Sequence, residues 1–208
     1  MLSQGGLNER FTYHINLCYL WFNLRNSNLP YTNSMGSSYN SMKKFNTWVL
    51  DTTIYILDFL YRGRDFQRFW VLEVIARAPY FSFISVLHFR ESLGLRGEDH
   101  IYLMKEHFYQ ALNETEHLEE METRGGNEFW IDRFFAKHLV LLYYWIMVTY
   151  YLIDPIDAYD INMKIEKHAF ETYTKYLGYH PEDVKIAEIA QDELNHAKEL
   201  KHAMSMIT

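Results

Sequence analysis

Two Glu-x-x-His pairs, Glu114/His117 and Glu193/His196, put a carboxylate and an imidazole one helical turn apart. Each pair falls where an apolar stripe should run. On the last helical stretch the inward positions at three-to-four spacing are Ile186, Ile189, Glu193, His196, Leu200 and Met204. An earlier stretch carries Gln110, Glu114, His117 and Met121 on one face. Two further stripes hold one Glu each: Phe69, Glu73, Ala76, Tyr80, Phe83, Leu87, and Tyr159, Met163, Glu166, Ala169, Tyr173, Leu177. A carboxylate buried without a partner costs several kcal/mol or takes up a proton. Four of them, with few Lys or Arg on the same stripes, require cations. Two divalent ions balance four carboxylates, and oxygen-rich ligation with two imidazoles and no thiolate favours iron or manganese over structural zinc.

A single Glu-x-x-His says little, because 17 Glu and 10 His in 208 residues produce about one by chance. Glu199/His202 is such a match, turned away from the Glu193 face. Glu73 could also pair with Arg77 at i+4, and Tyr173 taken alone reads as a core tyrosine. His88, His100, His107, His138, His168 and His180 have no matched partner and read as solvated or satisfied histidines. Depth decides between these readings. Glu73 and Glu114 have their midpoint beside Gly94, and Glu166 and Glu193 have theirs inside the Gly178–Pro181 turn. In two antiparallel hairpins that spacing sets all four carboxylates in one layer. One Glu from each of two helices and Glu-x-x-His from each of two others is the donor set of ferritin-like di-metal carboxylate bundles.

The elements that must position these groups are helical. The spacing predicts helices over Phe45–Tyr61, Asp65–Leu93 with a kink at Pro79, Glu98–Thr123, Asn127–Ile153 and Ile156–Leu177, and a last helix opened by Pro181 with Glu182 and Asp183. Residues 1–42 read as a flexible N-terminal segment, polar and turn-rich from Asn26 to Met42, and residues 43–208 as the helical domain. Glu9 and Arg10 ahead of an apolar stretch, with no small-residue cleavage site after it, do not make a signal peptide. A net charge of −7 excludes non-specific nucleic-acid binding. The single Cys18 leaves no internal disulfide. An aromatic share of 17% points to an amphipathic boundary such as a membrane surface. The longest apolar run, Leu139–Ile153, is 15 residues, short of the roughly 20 that cross a bilayer. Lys43, Lys44, Arg62 and Arg64 bracket the first helix as snorkelling anchors.

The stretches RFWVLEVIARAPYFSFISVLHFRESLG (68–94), NETEHLEEME (113–122), GGNEFWIDRFFAKHLVLLYYW (125–145), EKHAFETYTKYL (166–177) and DELNHA (192–197) resemble the alternative oxidase family, most closely its plastid terminal oxidase branch. The resemblance implies an all-α, ferritin-like di-iron four-helix bundle with two additional membrane-facing helices. It also implies a monotopic quinol oxidase on a thylakoid or inner membrane, at its stromal or cytoplasmic face. The reaction implied is oxidation of plastoquinol or ubiquinol and reduction of O2 to water without proton pumping. The family's iron ligands fall on Glu73, Glu114, His117, Glu166, Glu193 and His196, and its redox-active tyrosine on Tyr173. Its quinol pocket falls on Arg68, Leu72, Ala76, Ala169 and Thr172, and residues that orient ligands on Asn113 and Asp192. Relatives are dimers, which implies a homodimer here. One departure stands out: Glu166 and Glu193 are only 27 residues apart, where the family has a longer stretch that helps wall the oxygen and quinol site. A catalytically altered di-iron protein, a ferroxidase on the same bundle and a non-catalytic membrane scaffold are the alternatives.

Overall fold

The computed structural model describes the backbone of residues 33–207 and the side chains of residues 43–207. The chain divides after Ser41, and the helices described below belong to the second unit apart from the first residues of α1. Among the described residues there are six helices and no strand: α1 (Asn33–Leu60), α2 (Asp65–Ser92), α3 (His100–Thr123), α4 (Trp130–Ile153), α5 (Pro155–Leu177) and α6 (Val184–Met206). The reading of Asn26–Met42 as a linker is corrected in part: residues 33–42 are helical, and residues 1–32 lie outside the described residues. A polar run free of proline after Pro30 can extend a helix whose apolar portion is anchored further on, because propagation costs far less than nucleation.

Hairpins α2–α3 and α5–α6 pack along their lengths and build a four-helix bundle, with α2 also packed on α4. Helix α2 runs unbroken through Pro79. It enters the α3–α4 turn closely: a Cβ at Gly126 would lie 2.6 Å from the Phe66 carbonyl and 2.7 Å from Trp70 Cβ, so only glycine fits. Two apolar clusters fill the bundle. One surrounds Phe69, Leu72, Tyr173 and Ile186, the other Phe83, Leu87, Tyr159 and Leu200, and the polar layer of the Glu and His residues lies between them.

At α5, which starts at Pro155 and not Ile156, Asp154 accepts a hydrogen bond from the Asp157 amide and Pro155 takes the first helical position. At α6 the helix starts at Val184 rather than Pro181, because Asp183 takes the cap and accepts from the Ile186 amide at 3.2 Å. Arg124 at the end of α3 clamps the same carboxylate at 2.5 and 3.1 Å. Burial alone would raise the Asp183 pKa, but the bonds from Arg124, the Ile186 amide and Tyr176 hold it below the usual range. Asp183→Ala is therefore expected to cost about 1–2 kcal/mol. A carboxyl held low in the fold stabilises fully above its unfolded pKa of about 3.9, and that contribution fades as pH falls further. Thermal melts of the two proteins should differ at pH 7 and converge below pH 4.

Helix α1 is tied by hydrogen bonds to both ends of α4 and to the start of α5. Tyr150 of α4 donates to Asn46 Oδ1 at 3.0 Å, Asn46 Nδ2 donates to the Asp157 carbonyl of α5 at 3.2 Å, and Tyr61, just past α1, donates to Asp132 Oδ1 of α4 at 3.3 Å. Arg64 pairs with Asp132 and lies over the Phe129 ring, so it is a clamp between helices and not the snorkelling anchor that its position suggests. Phe45, Trp48, Tyr55 and Phe59 on α1 and Trp130, Phe135, Leu139, Leu142, Trp145 and Ile153 on α4 are exposed. By length and composition α2 and α4 could each cross a membrane; most of α2 is buried in the bundle, whereas only 17% of the apolar stretch of α4 is buried. The 15-residue run understates α4, because Asp132 faces Arg64 and Tyr61 and leaves the apolar outer face longer than the uninterrupted text.

Candidate di-metal centre

All six proposed ligands are buried at the middle of the bundle. Their atoms form two overlapping groups, Glu73, Glu114, His117 and Glu193, and Glu114, Glu166, Glu193 and His196, each with its ligand atoms within 4.8 Å of one another. Glu114 and Glu193 belong to both. The two histidines cross over: His117 Nδ1 lies 3.1 Å from Glu193 Oε1 but 4.0 Å from Glu114 of its own helix. His196 Nδ1 lies 2.8 Å from Glu114 Oε1 and 3.7 Å from its own Glu193. At 2.8 Å the Glu114 oxygen and the His196 nitrogen are still not aligned as a hydrogen bond, and both count among the buried atoms without a partner. The remaining oxygen of Glu114 and one oxygen each of Glu73, Glu166 and Glu193 are unpartnered too. Lone pairs that converge without bonding to each other are arranged for ions between them.

The electrostatics agree. Burial and repulsion from neighbouring carboxylates push Glu73 and Glu166 well above the usual carboxylate range. Burial would do the same to Glu193, but the hydrogen bond from His117 and the nearby charges of His117 and His196 hold it down at about 2. Burial opposes charge on His117, and its bonds to Asp192 and Glu193 outweigh that and raise it to about 11. Protons thus do part of the charge balancing that cations would do, and metal binding has to release them. Loading with Fe(II) at about 100 times its Kd is expected to add about 2.7 kcal/mol and raise the Tm by about 5–10 °C. Glu166→Gln should abolish that increment and leave the metal-free Tm unchanged or higher, since it removes a crowded acid. Differential scanning calorimetry with and without Fe(II) checks both signs.

The residues around this centre fall as follows. Tyr173, fully buried, donates to Glu73 Oε1 and packs on Phe69 with ring centroids 4.6 Å apart. Asp192 receives His117 Nε2 at 3.3 Å and a bond from Asn113, and the pair lines a polar pocket with Glu116, Lys185 and Glu188. Leu72, Ala76, Ala169 and Thr172 are buried. Arg68 is held by Asp58 of α1 at 2.7 Å. Two histidines without a matched partner in the sequence, His168 and His107, have close polar partners in the fold. His168 Nε2 lies 3.5 Å from Arg68 Nη2 and 3.3 Å from Thr172 Oγ1. His107 is fully buried among polar partners. Helical spacing could have found His168, which shares a turn with Thr172 at i+4. Glu199 accepts from Tyr102 at 3.2 Å, outside both metal-facing groups.

Four antiparallel helices that aim four carboxylates and two imidazoles at one layer define a ferritin-like carboxylate protein. The chain belongs to the alternative oxidase family, whose profile matches residues 35–205. It is similar to "Ubiquinol oxidase 4, chloroplastic/chromoplastic" of Arabidopsis thaliana, 43% identical over 160 residues, 71% of this chain and 45% of that protein. The chain thus spans less than half the length of that relative. No solved structure matches it.

Proposed function

We propose that the protein is a membrane-surface quinol oxidase that oxidises plastoquinol or ubiquinol and reduces O2 to water without proton pumping. The observation that carries the reading is the convergence of Glu73, Glu114, His117, Glu166, Glu193 and His196 in one buried layer of an alternative oxidase chain. Glu73 with His117 would hold one iron and Glu166 with His196 the other, with Glu114 and Glu193 common to both. When bound, the two irons would supply the redox chemistry that couples quinol oxidation to oxygen reduction.

The chain's own groups do the rest. The quinol head enters from the bilayer beside α1 and α4, whose exposed aromatic faces favour membrane docking. Arg68 and Thr172 hydrogen-bond its oxygens, against apolar walls from Leu72, Ala76 and Ala169. Asn113 and Asp192 fix the His117 ring: Asp192 accepts a hydrogen bond from Nε2–H and leaves Nδ1 facing the carboxylates. Tyr173, bonded to Glu73, can supply one electron. Both half-reactions use one site on one side of the membrane, so no proton crosses it. Residues 43–208 form the domain that holds the centre, and two copies associate as a homodimer on a thylakoid or inner membrane.

The test is oxygen uptake by membranes carrying the full chain, given a reduced short-chain quinol, beside Glu193→Ala. Uptake that requires Glu193 supports the reading and makes the short α5–α6 hairpin tolerated. No uptake with two irons still bound per chain overturns it in favour of an altered di-iron protein or a ferroxidase.

A further inference from the structure

Two turns below the metal-facing layer lies a second set of buried polar side chains that the function proposed above does not use. His107 stands two turns before Glu114 on α3, and Tyr159 two turns before Glu166 on α5. Both are fully buried, and the Tyr159 hydroxyl lies 2.8 Å from His107 Nε2. On the other side of the ring, His107 Nδ1 is 3.0 Å from Gln110 Oε1. An amide oxygen only accepts, so Nδ1 carries the ring proton and Nε2 presents its lone pair to the phenol. The Tyr151 hydroxyl, 2.8 Å from that of Tyr159, supplies the second bond to the phenol oxygen. Burial pushes the His107 pKa down to about 4, so the ring is neutral and free to accept a proton.

Aromatic contacts join this pair to the centre. Tyr80 donates to Glu166 Oε1 at 2.7 Å, and its ring lies 6.1 Å from that of His107. Phe83 fills the space between, 5.1 Å from His107 and 4.8 Å from Tyr159. A phenol that loses an electron becomes a far stronger acid than an imidazolium, and a neutral radical forms only where that proton has an acceptor. Oxidation therefore needs a base within hydrogen-bond reach. Tyr80 and Tyr173 have only Glu166 and Glu73, which face the metal layer; Tyr159 has a base of its own.

We propose that Tyr159 and His107 form a redox pair that supplies one electron when the centre reacts with oxygen while short of quinol. The Tyr159 O–H bond breaks, its proton moves to His107 Nε2, and one electron passes to the oxygen-oxidised di-iron centre. A neutral phenoxyl radical and an imidazolium stay behind. An electron from a later quinol, with the same proton returned from His107, restores the phenol. The inference rests on the quinol oxidase reading for its oxidant.

The full chain, iron-loaded and reduced, is mixed with oxygen without quinol, freeze-quenched and examined by electron paramagnetic resonance. With Tyr173→Phe as background, a tyrosyl signal is expected, and it should be lost in both Tyr173→Phe/Tyr159→Phe and Tyr173→Phe/His107→Gln. The glutamine keeps a hydrogen-bond acceptor but not a base. A signal that survives Tyr159→Phe, or that survives His107→Gln unchanged, overturns the pair. A second arm needs neither iron nor quinol: the same proteins, checked for an unchanged fold by circular dichroism, are flash-oxidised with ruthenium tris(bipyridine) and persulfate. A Tyr159 radical that requires His107 supports the pair there, and its absence in the folded background protein overturns it. Quinol-dependent oxygen uptake by the unsubstituted chain, measured alongside, decides the parent reading separately.

Discussion

Glu193→Ala is expected to lower quinol-dependent oxygen uptake by more than about 100-fold, beyond the 10–100-fold typical of residues that only orient a ligand. The reason lies in its shared position. Glu193 belongs to both groups of converging atoms, so its loss removes a donor from each half of the centre. It also removes the acceptor 3.1 Å from His117 Nδ1, which frees that ring to turn. Asp192→Ala serves as the comparison. Asp192 meets only the far nitrogen of His117, so iron should still bind and the loss should stay within 10–100-fold. Iron content per chain and initial uptake rates, measured on both variants, check the ordering. Equal losses from the two substitutions would argue against a shared role for Glu193.

The second large effect concerns the membrane. Leu142→Lys combined with Trp145→Lys should move the protein from the membrane to the soluble fraction without unfolding it. Both side chains are exposed in the fold, 60% and 61%, so neither contributes much to the core. Docked on a bilayer, each would bury apolar surface worth about 1.5–3 kcal/mol. Losing both is thus expected to weaken partitioning by at least about 100-fold, before the cost of burying two ammonium groups is added. Sedimentation with liposomes reads the partition, and circular dichroism melts read the fold. A variant that melts normally and still sediments would show that α4 is not the docking face.

Much of the architecture was legible because it is local. Apolar spacing, Gly94 and the Asp154–Pro155 pair mark helices and turns through backbone chemistry that acts over a few residues. The six Glu and His positions were legible as well, since a carboxylate on an apolar stripe is anomalous whatever packs against it. Helix ends were less so. Pro181 lies in the turn and Asp183 takes the cap of α6, and the same carboxylate is held by Arg124, which is distant in sequence and adjacent only in the fold.

The sequence by itself determined which groups enter the core and at what depth, because side-chain direction on a helix follows from its period and hairpin depth from its turn. Only the tertiary structure decided how those groups meet. Each Glu-x-x-His motif reads as a unit, yet His117 leans to Glu193 and His196 to Glu114. Arg64 reads as a lipid-facing anchor and binds Asp132 instead, and His107 reads as a bystander and bonds Tyr159 across the bundle. These pairings join helices that are neighbours only after packing, and no periodicity within one helix records what stands opposite it.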